Sequence, residues 1–187
     1  DTHDVIVNML EECRKAGHED RALMFCSLSK VTFPAAGVAA MAASRRNIDY
    51  ILKNMFPMII SFDKLNQVRH IRFLKDMDGL AAHMEKQRAL LEPKFRAVLA
   101  ILDEGLSGCG SIARWTKPNG GYFLSLYTLG GCAKRTVQLC REAGVVLTDA
   151  GAAYPYGVDP QDSNIRIAPT FPPLDELETA SRLLCVC

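Results

Sequence analysis

Three short stretches of the 187-residue chain carry side chains fit for chemistry. The first is Ser27-Leu28-Ser29-Lys30, which follows directly on the apolar run Ala22-Leu23-Met24-Phe25-Cys26. That run reads as a strand buried on both faces, and ligands of open α/β sheets gather beyond the carboxyl ends of strands. A lysine emerging there, partly desolvated, is held towards its nucleophilic free amine. Hydroxyls three residues and one residue before it can bond an anion such as a phosphate. Taken singly, the tetrapeptide also reads as a surface lysine in a serine-containing loop. The second stretch is Gly120-Gly121-Tyr122-Phe123, where glycines admit a ligand or another backbone, or simply make a tight turn. The third is Asn164-Ile165-Arg166-Ile167-Ala168-Pro169. Alternation puts Ile165 and Ile167 on one strand face and Asn164, Arg166 and Ala168 on the other. Arg166 is then either an edge residue or a buried guanidinium, and a buried one needs an anion such as a carboxylate gripped by its fork.

The elements that must position these groups follow from periodicity. Residues 4–16 read as a helix with Val5, Met9, Leu10 and Cys13 on one face, Asp1 or Thr2 as its cap and Gly17 as its stop. A second strand of small residues, Gly37–Ala43, follows a loop containing Pro34. Helix, strand, loop and strand give an α/β class with a mostly parallel sheet. Ser44 caps a helix carrying Ile48, Ile51, Leu52 and Met55, and Asp63–Leu74 forms another. The longest helical pattern runs from Leu80 to Leu106, with Met84, Leu91, Phe95, Val98, Leu99 and Leu102 as its stripe. Pro93 is expected to kink it or split it in two. Gly105, Gly108 and Gly110 end it and mark the best domain boundary. Beyond them, Ser111–Thr116 and Gly121–Tyr127 form a hairpin around Lys117-Pro118-Asn119-Gly120. A helix at Ala133–Ala143, short strands at Val145–Leu147 and Asn164–Ala168, and a helix at Leu174–Leu184 complete a small α+β domain.

Composition narrows the function classes. Apolar residues make up 49% and charged residues 23%, as in ordinary globular proteins, and the net charge is +1. No basic face gathers, so a nucleic-acid surface is not expected. The longest apolar runs, 33–43 and 55–60, are too short or too broken by proline to span a bilayer. The seven cysteines (13, 26, 109, 132, 140, 185 and 187) contain no CxxC pair, and the four histidines (3, 18, 70 and 83) lack ligand spacing. They read as reduced thiols of a cytoplasmic protein and as structural or solvated imidazoles, with no metal site.

Taken in order, the strand-end lysine with its two serines, the long helix, Pro118-x-Gly120-Gly121-Tyr122-Phe123, Gly144–Thr148 and Asn164–Pro169 are specific as a set. The chain resembles the second half of a fold-type I, class I/II aminotransferase dependent on pyridoxal 5'-phosphate. Within that group, SLSKVTFPAAGVAAMAAS and WTKPNGGYFLSL resemble a bacterial aspartate-aminotransferase-like branch. The resemblance covers essentially the whole chain. It implies a partial α/β aminotransferase fold: residues 1–78 close the large cofactor-binding domain, 79–106 form an interdomain helix kinked near Pro93, and 107–187 form the small α+β domain. By the same resemblance, Lys30 forms the internal aldimine and moves the proton, Ser27 and Ser29 contact the cofactor phosphate, Arg166 holds the substrate α-carboxylate and Tyr122 lines the substrate pocket.

The departures from the family pattern carry their own expectations. An arginine eight residues after the lysine is replaced by Val38, so phosphate binding leans on hydroxyls and backbone amides. The 29 residues before Lys30 lack the glycine-rich phosphate loop, the stacking aromatic ring, the asparagine and the aspartate paired with the pyridinium nitrogen. The chain is therefore expected to be the C-terminal part of a longer enzyme, inactive alone, whose parent is a homodimer acting on an α-amino acid and a 2-oxo acid. Two alternatives keep the fold: a non-catalytic aminotransferase-like effector domain of a transcription regulator, and a lyase, racemase or synthase using the same lysine and arginine.

Overall fold

A computed structural model describes residues 4–187, in two compact units. One unit is Val5–Gln87; the other is Arg88–Cys187 together with Asp4.

In the first unit, helix α1 (Met9–Lys15) starts later than its apolar pattern suggests, because Asn8 caps it by accepting from the Glu11 amide. The expected caps Asp1 and Thr2 lie outside the described residues. Strands β1 (Leu23–Ser27) and β2 (Ala39–Ala43) pair antiparallel, Leu23 opposite Ala43 and Ser27 opposite Ala39. This corrects the parallel arrangement expected here. The connection is only residues 28–38, and a parallel return needs a crossover of about a dozen residues or more. Nor is β1 buried on both faces: Phe25 is 72% exposed, since among the described residues β1 has β2 as its sole strand neighbour. Helix α2 (Arg45–Met55) is capped by Ser44, which accepts from Asn47 N, and α3 (Lys64–Leu74) by Asp63, which accepts from Asn66 N at 2.9 Å. Both caps satisfy otherwise orphaned first-turn amides.

Helix α4 (Met77–Leu106) is a single helix of 30 residues that Pro93 does not divide. The proline removes the donor that would reach the Ala89 carbonyl, but the following turns are held by Val98, Ile101 and Leu102, all buried. The division between the two units falls within this helix.

The second unit holds a three-stranded antiparallel sheet, β3 (Ala113–Trp115), β4 (Leu124–Thr128) and β5 (Asn164–Ile167), in that order. Trp115 faces Leu126, and Ser125 faces Arg166. Leu124, Leu126, Ile165 and Ile167 form one apolar face. They pack with Val98 and Leu102 of α4, Val137 and Cys140 of α5 (Ala133–Glu142), and Leu177 and Leu184 of α6 (Leu174–Val186). Residues 145–147 form no strand. Val145 and Leu147 pack against the core while Val146 faces solvent, so their alternation is satisfied by burial without a ladder.

Candidate active site

The chain leaves β1 at Ser27 and reaches Lys30 within a tight turn. The Leu28 amide donates to Val38 O at 2.8 Å, which closes the base of the loop. The Leu28 carbonyl accepts from Val31 N and Thr32 N, both at 2.9 Å, so Lys30 rides on a turn with its own backbone closure. The hydroxyls of Ser27 and Ser29 lie 2.6 Å apart, and Ser29 N donates to Ser27 Oγ at 3.1 Å. Two hydroxyls and the lysine thus cluster at the carboxyl end of one strand. Gly37 makes this possible: a Cβ there would lie 2.6 Å from Ser29 Oγ and 2.8 Å from its Cα. Lys30 is exposed, so the desolvation expected of it is not supplied by the described residues of this chain.

In the second unit Arg166 is half-buried on β5, on the face opposite Ile165 and Ile167. Its guanidinium lies 4.8 Å from the centre of the Phe123 ring, a cation–π contact. Arg166 Nε is buried with no hydrogen-bond partner, and Arg166 forms no ion pair with any described residue. A fixed charge of this kind, with its fork uncommitted, suits an arriving anion. Asp159 braces the approach to β5, accepting from Ser163 N (2.8 Å), Asn164 N (2.9 Å) and Gln161 N (3.0 Å). The Ser163 amide above all, aided by the other donors and against the effect of burial, holds this carboxyl below the usual carboxylate range. Tyr122 is half-buried in the turn before β4 and makes no hydrogen bond to described residues.

Phe123 lies in the second candidate stretch, but sequence reasoning gave it no role of its own. Its signal was present: with Ser125 opposite Arg166, residue 123 is the diagonal neighbour on the same face. Sequence reasoning read His70 and His83 as structural or solvated imidazoles and gave Thr32, Asn66 and Gln87 no role; these five gather around the Lys30 turn. The helical spacing of Asn66 and His70 and of His83 and Gln87 looks like any solvated face until the loop that carries Thr32 is laid on it. All seven cysteines are free, and no cluster among the described residues could hold a metal ion.

The model of the aspartate amino-transferase family matches residues 1–187. The chain belongs to this family. Its relatives include a Mycolicibacterium smegmatis protein provisionally named an aminotransferase, 48% identical over 97% of this chain and 42% of its own length. The aspartate aminotransferase of Corynebacterium glutamicum is 42% identical over 92% of this chain and 40% of its own. The chain thus spans about two-fifths of the curated relatives it matches. A crystal structure of an aspartate transaminase from Corynebacterium glutamicum superposes with a TM-score of 0.91 at 40% identity, covering 97% of this chain and 42% of that one. The fold alone is shared with LysN, an α-aminoadipate aminotransferase from Thermus thermophilus, at a TM-score of 0.80 and 20% identity over 99% of this chain and 46% of that chain. That protein was crystallised with N-(5'-phosphopyridoxyl)-L-leucine. The shared fold is a partial α/β domain, and no helix of the described residues is long and apolar enough to cross a membrane.

Proposed function

We propose that this chain is the C-terminal portion of an enzyme that moves an amino group between an α-amino acid and a 2-oxo acid with pyridoxal 5'-phosphate. The observation that carries the reading is Lys30 on its turn just beyond β1, with the Ser27 and Ser29 hydroxyls 2.6 Å apart beside it, in a chain of this family.

The residues present fit the cofactor. An exposed primary amine suits an aldehyde, and paired hydroxyls at a strand end suit a phosphate. With Val38 in place of a cation, these hydroxyls and the nearby backbone amides take the larger share of the anion. The bound cofactor supplies the electron sink that acidifies the substrate α-carbon. Lys30 Nζ would hold it and, as a free amine, would take up and return a proton at that nitrogen. Arg166 grips the α-carboxylate with its fork, and Phe123 beneath the guanidinium limits its swing. Tyr122 lines the substrate pocket.

In this reading residues 1–78 finish the large domain, 79–106 link the domains and 107–187 form the small one. The stacking ring and the aspartate for the pyridinium nitrogen come from the remainder of a cytoplasmic, homodimeric parent. The isolated 187 residues therefore carry no transaminase activity.

The test is borohydride reduction of the full-length polypeptide mixed with pyridoxal 5'-phosphate, followed by peptide mapping. A single adduct on Lys30, lost in Lys30→Ala, is expected. Adducts scattered over other lysines would overturn the assignment.

A further inference from the structure

We propose that Thr32 and His70, with His83 and Gln87, are positioning residues that fix the turn carrying Lys30. The role of Lys30 rests on the function proposed above; the anchoring itself rests only on geometry. The Lys30 side chain is exposed, so what the described residues fix is the backbone from which it leaves. That backbone is held from two helices at consecutive residues. The Val31 carbonyl accepts from Gln87 Nε2 at 2.7 Å and lies 2.7 Å from His83 Nε2, the two side chains being one turn apart on α4. The Thr32 hydroxyl meets His70 Nε2 of α3 at 2.7 Å and the Leu28 carbonyl at 3.1 Å. The Phe33 ring packs edge-on against the His70 ring at 5.3 Å and against Phe73 at 5.4 Å. Further along, Asn66 Nδ2 donates to Ala36 O at 2.7 Å.

Proton accounting shows how tightly the parts depend on one another. The Asn66 carbonyl only accepts, so His70 Nδ1, 2.8 Å away, is the donor there. His83 Nε2 lies between the Val31 carbonyl, an acceptor, and Gln87 Nε2, a donor 3.0 Å away, so Gln87 is the donor to Val31 in either tautomer of His83. Thr32 Oγ1 has one proton and lies between the Leu28 carbonyl of the turn and Nε2 of His70. It ties the Leu28 turn directly to helix α3. An anchor one or two residues from a reacting amine is worth rate, because small displacements of a reacting group are costly.

The experiment uses the full-length enzyme with Thr32→Val, Thr32→Ser and His70→Gln. Thr32→Val is nearly isosteric and lies at a half-buried site, so it decides the matter even if the buried His70 variant fails to fold. Two quantities are read: hydrogen exchange at the Val31 and Thr32 amides, and the rate at which borohydride traps pyridoxal 5'-phosphate on Lys30. Thr32→Val is expected to speed exchange and slow trapping, each on the order of tenfold, the factor that one hydrogen bond commands, while Thr32→Ser behaves as wild type. Unchanged exchange in Thr32→Val overturns the anchor. Faster exchange with unchanged trapping overturns the positioning role. If wild type itself traps nothing on Lys30, the aminotransferase reading falls and takes the role of Lys30 with it, whereas the exchange data still decide whether the anchor exists.

Discussion

Replacing Arg166 separates a binding arginine from a structural one. The side chain has no anionic partner among the described residues, its Nε is buried without an acceptor, and Phe123 holds it from one side at 4.8 Å. A substrate carboxylate in the fork would make two charge-assisted hydrogen bonds, each worth about 1.5–3 kcal/mol. Arg166→Ala should therefore lower kcat/KM for an α-amino acid by roughly 10²- to 10⁴-fold, from about 3–6 kcal/mol. Arg166→Lys keeps the charge but loses the fork, so it should recover only part of this. The same variants should leave the thermal midpoint of unfolding unchanged or raised, because an unsatisfied buried nitrogen is removed and no ion pair is broken. The assay is steady-state turnover of the full-length enzyme, with thermal unfolding measured on the same preparations. A kcat/KM within threefold of wild type would refute the carboxylate role. So would a fall of many degrees in midpoint with kcat/KM reduced only in proportion to folded protein.

Three further outcomes follow from the packing and the shifted groups. Leu102→Ala, at a fully buried site in the second unit, should cost about 2–5 kcal/mol in chemical denaturation, while Leu90→Ala, 72% exposed on the same helix, should cost about 0.5 kcal/mol or less. Asp159→Asn should lower the urea midpoint at pH 7, and the gap from wild type should close in acid. A carboxyl held below its usual range adds stability above about pH 4, and that stability is lost as pH falls through the depressed value. Burial, and next the neighbouring Cys187 thiol, push the Cys140 thiol up to about 12. Iodoacetamide at pH 8 should label exposed Cys26 and Cys109 but spare Cys140 until the chain unfolds, as read by mass mapping. Above about pH 9 the unfolded thiol ionises while the folded one keeps its proton, so this group should subtract stability as pH rises towards 12.

What the sequence revealed and what it hid divide along physical lines. Ser44 announces its helix because a cap needs only one side chain and the amides beside it. The hairpin of β3 and β4 and the strand around Arg166 were legible because their alternation is answered by a single apolar core. The direction of β2 was not, since a run of small apolar residues looks the same in either orientation; the shortness of residues 28–38 was the better clue. Pro93 does not split α4, because tertiary packing of Val98, Ile101 and Leu102 outweighs one missing hydrogen bond. The pairs Asn66 with His70 and His83 with Gln87 stayed hidden, for their partners are backbone and hydroxyl groups far away in sequence.

The alternation of β4 and β5 has a consequence for how such a chain can diversify. Leu124, Leu126, Ile165 and Ile167 point to one side and belong wholly to the core, while Phe123, Ser125 and Arg166 lie to the other. A change in the first set is judged by whether the chain folds. A change in the second is judged by what the surface grips. Interleaved along the same few residues, the two requirements are nearly independent, so positions 123 and 125 can change without reopening the question of the fold.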